Sequence, residues 1–139
     1  MSKGPIVIIE DDLDDQEVFV AAIESLNLGI PVRCFPRASA ALQFLSESEV
    51  QPYIVFSDVN MPEMTGFEFR RIIKEDPFLA SKGVPFIIIS TDASKVAVRH
   101  AHALSVQGYF EKPRTVDEIR TMFKTIFDYW ELCRHINNT

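Results

Sequence analysis

Three short apolar runs constrain this chain most: Pro5 to Ile9, Tyr53 to Phe56 and Val84 to Ile89. Each is continuous rather than alternating, which suits strands covered on both faces and hence a parallel sheet between layers of helix. Val32 to Phe35 and Gln107 to Phe110 are weaker strand candidates. Helical patterns lie between the runs, with Phe19, Ile23 and Leu26, then Leu42 and Leu45, then Phe69, Ile72 and Ile73 at helical spacing. Ala93 to Leu104 is Ala-rich with a thin apolar stripe. Thr115 to Glu118 reads as a capping box that opens a last helix, and Ile119, Met122, Phe123, Ile126, Trp130 and Cys133 mark its apolar face.

Five strands alternating with five helices predict a doubly wound α/β fold around a five-stranded parallel sheet. Right-handed crossovers cover both faces of such a sheet, and ligands sit beyond the carboxyl ends of the strands. At 139 residues, 47% of them hydrophobic, the chain fits one domain over 1–139 with a core from about 4 to 135.

A formal net charge of −6, with Arg70-Arg71 the only basic doublet, argues against a nucleic-acid surface. The apolar runs are too short to span a bilayer and no basic segment precedes an apolar leader, so the expectation is a soluble cytoplasmic protein without membrane contact. Cys34 and Cys133 have no metal-binding or disulfide spacing and read as buried, reduced thiols. His100 and His102 are two apart, point in different directions on a helix and make no metal pair; they and His135 read as surface residues.

The polar groups of interest fall at strand ends. The first predicted strand runs into Glu10-Asp11-Asp12, the third into Ser57-Asp58, the fourth into Ser90-Thr91 and the fifth into Glu111-Lys112-Pro113. If the first and third strands are neighbours where the winding reverses, Glu10, Asp11 and Asp58 converge on one crevice. Three carboxylates held that close repel one another, which raises a pKa or recruits a cation. Hard oxygen donors without Cys or His select magnesium, manganese or calcium over zinc or copper. The acidic run lacks the glycine that an EF-hand demands, which sets calcium aside and leaves Mg2+, with Mn2+ second. Asp12, Asp14 and Asp15 read as a helix cap and first-turn charges that suit the helix dipole.

Glu10-Asp11, Asp58-Val-Asn-Met-Pro62 with Gly66, Ser90-Thr91 and Lys112-Pro113, in this order and spacing, resemble the receiver domains of two-component response regulators, in particular stand-alone, chemotaxis-regulator-like members. The resemblance covers about the whole chain. It implies a flavodoxin-like strand order 2-1-3-4-5 and a phosphoacceptor at Asp58. It also implies a metal held by Asp11, Asp58 and the backbone carbonyl of Asn60, with Glu10 acting through water. Lys112 would then supply a point charge to the bound phosphoryl group and Ser90 a hydroxyl donor. Phosphorylation would draw the Ser90 loop inward and let Tyr109 repack, changing the face built from the fourth predicted helix, fifth strand and fifth predicted helix.

The partners implied are a sensor histidine kinase or histidine phosphotransfer protein, and an unidentified downstream protein. The same face is where a homodimer would form. The chain would catalyse only its own phosphorylation and dephosphorylation and is not expected to be an enzyme. The resemblance further suggests a cis bond before Pro113. Thr91, where a smaller residue is usual, and Asp92 bear on the lifetime of the phosphorylated state. No output domain fits in the chain, so phosphorylation is expected to be read by another protein. A magnesium-dependent phosphohydrolase of the dehalogenase-like kind would carry a second aspartate where Asn60 stands. A degenerate receiver that only binds partners would lack one of Asp11, Asp58, Ser90 or Lys112, and all are present. The aromatic residues Phe123, Phe127, Tyr129 and Trp130 exceed one buried stripe, which leaves deep packing and a dimer or partner surface both open.

Overall fold

The computed structural model describes residues 4–47 and 49–134, so the reading of His135 lies outside the described residues. In chain order the elements are β1 (Ile6–Ile9), α1 (Leu13–Glu24), β2 (Val32–Phe35), α2 (Ala38–Leu45), β3 (Ile54–Ser57), α3 (Gly66–Glu75), α4 (Pro77–Ser81), β4 (Phe86–Ser90), α5 (Lys95–Ala103), β5 (Gly108–Glu111) and α6 (Val116–Leu132). The five strands form one sheet in the order β2-β1-β3-β4-β5, parallel at every pairing.

The unbroken apolar runs are explained by what covers the sheet. Ile6 and Ile8 of β1 enter a core with Phe19 and Ile23 of α1 and Phe123 of α6, whereas Val7 and Ile9 enter a second core with α2, α3 and α5. Both faces of the sheet are covered, so the central strands β1, β3 and β4 are apolar in both registers up to the serines that end β3 and β4. Phe123 is fully buried and meets Phe19 and Phe56 edge-on, with ring centroids 5.6 and 5.1 Å apart. Phe127 and Trp130 are buried beside it, while Tyr129 is 68% exposed. Three of the four extra aromatics are therefore accounted for by deep packing. Cys34 and Cys133 form no disulfide and are half-buried rather than buried.

Among the described residues there are six helices where five are expected. Asp76 is extended, with φ −74° and ψ 119°, because the residue before a proline is pushed out of the helical region. Pro77 then opens a new five-residue helix at its first position, where a missing N–H costs nothing. The Asp76 carboxylate accepts from the Phe78 and Leu79 amides at 2.9 and 3.0 Å. α5 is shorter than Ala93 to Leu104: the Ser94 hydroxyl caps it by accepting from the Ala97 amide, and it buries only Ala97 and Ala101. At α6 only part of the capping box forms. The Thr115 hydroxyl accepts from the Glu118 amide, but the Glu118 carboxylate accepts from that hydroxyl and not from the Thr115 amide.

Two buried cations lock the loops beneath the sheet. The Lys82 ammonium donates to the carbonyls of Leu45, Glu47 and Val50 at 2.7, 2.6 and 2.6 Å, closing the connection from α2 to β3. Arg70 of α3 donates to the Leu104 and Ser105 carbonyls at 2.9 and 3.0 Å and so caps the negative end of α5. No described helix is long and apolar enough to cross a membrane.

Candidate functional site

The sheet register assembles the site. Ile9 pairs with Phe35 on one side and Ser57 on the other, so the residues that follow, Glu10 and Asp58, leave adjacent strands at the same level. The Glu10 amide donates to the Phe35 carbonyl and the Asp58 amide to the Ile9 carbonyl, at 3.0 and 3.1 Å. Ser90 pairs with Glu111, and the Lys112 amide donates to the Ser90 carbonyl at 2.8 Å, which starts the lysine on its path back across the strand ends.

Glu10, Asp11 and Asp58 each offer a carboxylate oxygen, and these oxygens all lie within 4.8 Å of one another. Glu10 is fully buried, Asp58 partly buried and Asp11 exposed. Burial, aided by the Asp58 charge and opposed by Lys112 and the Asp12 amide, pushes the Glu10 carboxyl up to about 7. A buried carboxylate so reluctant to ionise, in a nest of hard oxygens, fits a divalent ion of the magnesium or manganese type.

Asp58 is held from both sides. Its carboxylate accepts from the Val59 amide at 2.7 Å, and its carbonyl accepts from the Ser57 hydroxyl at 2.8 Å. Gly66, at the start of α3, presses against that carbonyl: a Cβ there would lie 2.1 Å from the Asp58 oxygen. The loop is closed by the Gly66 amide donating to the Val59 carbonyl and by a full capping box between Thr65 and Glu68. Asn60 lies exposed in this loop, two residues beyond Asp58.

The Lys112 ammonium, with only 13% of its side chain exposed, lies 2.8 Å from Glu10, 2.9 Å from Asp15 and 3.4 Å from Asp58. Burial acts to lower it, but the bonds to Glu10 and Asp15 and the nearby Asp58 charge outweigh that and hold it above the ordinary lysine value. No described peptide bond is cis, so the bond before Pro113 is trans, and the lysine reaches the crevice from that geometry. Asp12 caps α1 as expected, its carboxylate accepting from the Asp15 amide at 3.0 Å. Asp15 is not merely a first-turn charge. It meets the Lys112 ammonium from the first turn of α1, a contact between residues 97 positions apart that no local spacing in the sequence signals.

Ser90 is fully buried at the end of β4, and its hydroxyl accepts from the Asp92 amide at 3.1 Å. The Tyr109 hydroxyl donates to the Asp92 carbonyl. Burial raises the Tyr109 phenol, a bond to Ser90 opposes the rise, and the Asp92 and Asp58 charges add to it. Ser90 and Tyr109 thus share one loop, while Thr91 beside them is exposed. His100 stacks on Phe67 with centroids 4.1 Å apart, and both His100 and His102 are exposed.

The sequence model of the response regulator receiver domain matches residues 6–124. The chain belongs to this family. Among its receiver relatives, the DNA-binding transcriptional regulator NtrC of Proteus hauseri is 29% identical over 139 residues, covering 99% of this chain but 28% of the longer protein. The crystal structure of the phosphorylated cyanobacterial phytochrome response regulator RcpA superposes with a TM-score of 0.85 at 22% identity, covering 96% of this chain and 98% of that one. The Mn(2+)-bound form of the response regulator Rcp1 gives 0.80 at 23% identity, with 95% and 97% covered. At such identities these likenesses carry the receiver fold, and the strand order 2-1-3-4-5 is the one expected.

Proposed function

We propose that this receiver accepts one phosphoryl group on Asp58 from a phosphohistidine of a sensor kinase or phosphotransfer protein, with Mg2+ bound at Glu10, Asp11 and Asp58. The observation that carries the reading is Lys112, whose ammonium lies 3.4 Å from the Asp58 carboxylate beside three converging carboxylate oxygens. In the transfer an Asp58 oxygen forms a bond to phosphorus as the bond from phosphorus to the donor imidazole nitrogen breaks, and the electron pair returns to that nitrogen. A divalent ion bound there offsets the repulsion between the carboxylate and the anionic phosphoryl oxygens, and Mn2+ would serve as Mg2+ does. The bound forms of relatives, with Mn(2+) in Rcp1 and magnesium in the receiver of the sensor kinase PA1611, support that assignment.

In this reading Asp11 and the Asn60 carbonyl are direct ligands, Glu10 acts through water, and Asp58 is both ligand and acceptor. Lys112 neutralises the product, and Ser90 donates its hydroxyl to a phosphoryl oxygen. As it turns its proton to the phosphoryl group, the Ser90 hydroxyl draws inward the loop whose Asp92 amide it accepts from. Tyr109, bonded to the carbonyl of the same Asp92, repacks with it. The face of α5, β5 and α6 then changes for a downstream protein or a second copy of the chain. The net charge of −6 speaks for a protein partner rather than nucleic acid. The chain catalyses its own phosphorylation and dephosphorylation and turns over no separate substrate.

Acetyl phosphate with Mg2+ is expected to add one phosphoryl group, seen by intact mass, and Asp58→Asn to abolish it. A wild-type chain that gains no adduct overturns the proposal. Sustained turnover of a small phosphate ester would favour a phosphohydrolase instead.

A further inference from the structure

The Lys112 ammonium has three N–H donors and three carboxylate neighbours, so none of its hydrogen-bonding capacity is spare. The distances are uneven. Glu10 and Asp15 hold it at 2.8 and 2.9 Å, whereas Asp58, the group whose phosphorylation it would serve, is the most distant at 3.4 Å. Glu10 belongs to the oxygen nest. Asp15 does not: it is absent from the cluster of converging oxygens and sits on the first turn of α1 with its side chain 37% exposed. Among the described residues its carboxylate meets the Lys112 ammonium alone, and its amide is already used by Asp12.

We propose that Asp15 is a positioning residue for Lys112: an internal rival of the phosphoryl group for the lysine ammonium, which favours the unphosphorylated state. The inference rests on the phosphoacceptor reading above and adds a cost to it. For Lys112 to meet the phosphoryl oxygens on Asp58 it must loosen its bond to Asp15, so the phosphorylated state forms against that ion pair. The part-exposed position of Asp15 keeps the effect small, since partly solvated ion pairs are weak.

The test uses beryllofluoride, a phosphoryl mimic, titrated calorimetrically into the full chain at saturating Mg2+. Asp15→Asn is expected to tighten binding about threefold, consistent with a pair of that strength. Asp15→Glu, which keeps the anion, should stay near wild type. Asp14→Asn removes the same charge from the same turn without touching Lys112 and should change affinity by less than about 1.5-fold. In a Lys112→Ala background, or Lys112→Gln should the alanine chain not fold, the effect of Asp15→Asn should vanish. The inference is overturned if Asp15→Asn leaves affinity unchanged or weakens it, if Asp14→Asn matches it, or if its effect survives without Lys112. In those cases wild type still binds beryllofluoride and the phosphoacceptor reading stands. A wild type that binds none, and gains no phosphoryl adduct, removes both.

Discussion

The carbonyl oxygen of Asp58 occupies the space that a side chain on Gly66 would need, 2.1 Å from where its Cβ would lie. Backbone meets backbone at this point, so the first turn of α3 buttresses the acceptor loop directly. Gly66→Ala must move either α3 or the Asp58 carbonyl. The expected cost is about 1–3 kcal/mol, and phosphoryl incorporation from acetyl phosphate should fall at least about tenfold. Urea unfolding and intact mass measure the two effects. Unchanged incorporation would show that the contact is not needed to hold Asp58.

Glu10 sets a pH dependence whose sign is opposite to that of an ordinary paired carboxylate. Its carboxyl is pushed up to about 7, above the ordinary 4.5, chiefly by burial. The folded chain therefore holds the proton more tightly than the unfolded chain. The stability from this group is complete below about pH 4.5 and is lost as pH rises through about 7, to a total of about 3 kcal/mol. Without Mg2+, stability should decline between about pH 4.5 and about pH 7 and level off above that. Adding Mg2+ should stabilise the chain more at the higher pH, and Glu10→Gln should flatten the profile. Denaturant unfolding at both pH values, with and without the ion, decides this. A flat wild-type profile would contradict it.

Tyr109 ties β5 to the loop after β4 through the Asp92 carbonyl. Tyr109→Phe keeps the ring but removes the donor, so about 1 kcal/mol of stability should be lost. Amide hydrogen exchange at Asp92 to Ser94 should quicken, while phosphoryl incorporation at Asp58 persists. Exchange that is unchanged would mean the hydroxyl does not hold the loop.

Lys82 offers a test away from the crevice. Lys82→Met preserves the length of the side chain but strands the carbonyls of Leu45, Glu47 and Val50, and should cost about 2–4 kcal/mol. Because the lysine sits under the opposite end of the sheet, phosphoryl incorporation by the folded fraction should be unaffected. Incorporation falling in proportion to more than the unfolded fraction would indicate coupling between the two ends.

Much of the fold was legible from residue type alone. Continuous apolar runs such as Pro5 to Ile9 and Tyr53 to Phe56 signal strands buried on both faces, as a parallel sheet between helices requires. The acidic pair, Asp58, Ser90 and Lys112 were legible as well, since each follows a strand and the topology carries strand ends to one side. Local chemistry was less fully readable. Pro77 and Asp76 do split a helix, but only the balance of capping and packing decides whether the short second piece survives. Thr115 and Glu118 have the residues of a capping box, and the hydroxyl took the carboxylate that the amide was expected to hold.

What the sequence determined by itself is which residues could do the chemistry and on which strand ends they sit, because period and polarity are local properties of the chain. What only the tertiary structure decided is which of them meet. Asp15 lies 97 positions from Lys112 in the chain and 2.9 Å from it in space. Side-chain direction on a helix, and the reach of a lysine across three strands, are fixed by packing that no local pattern records.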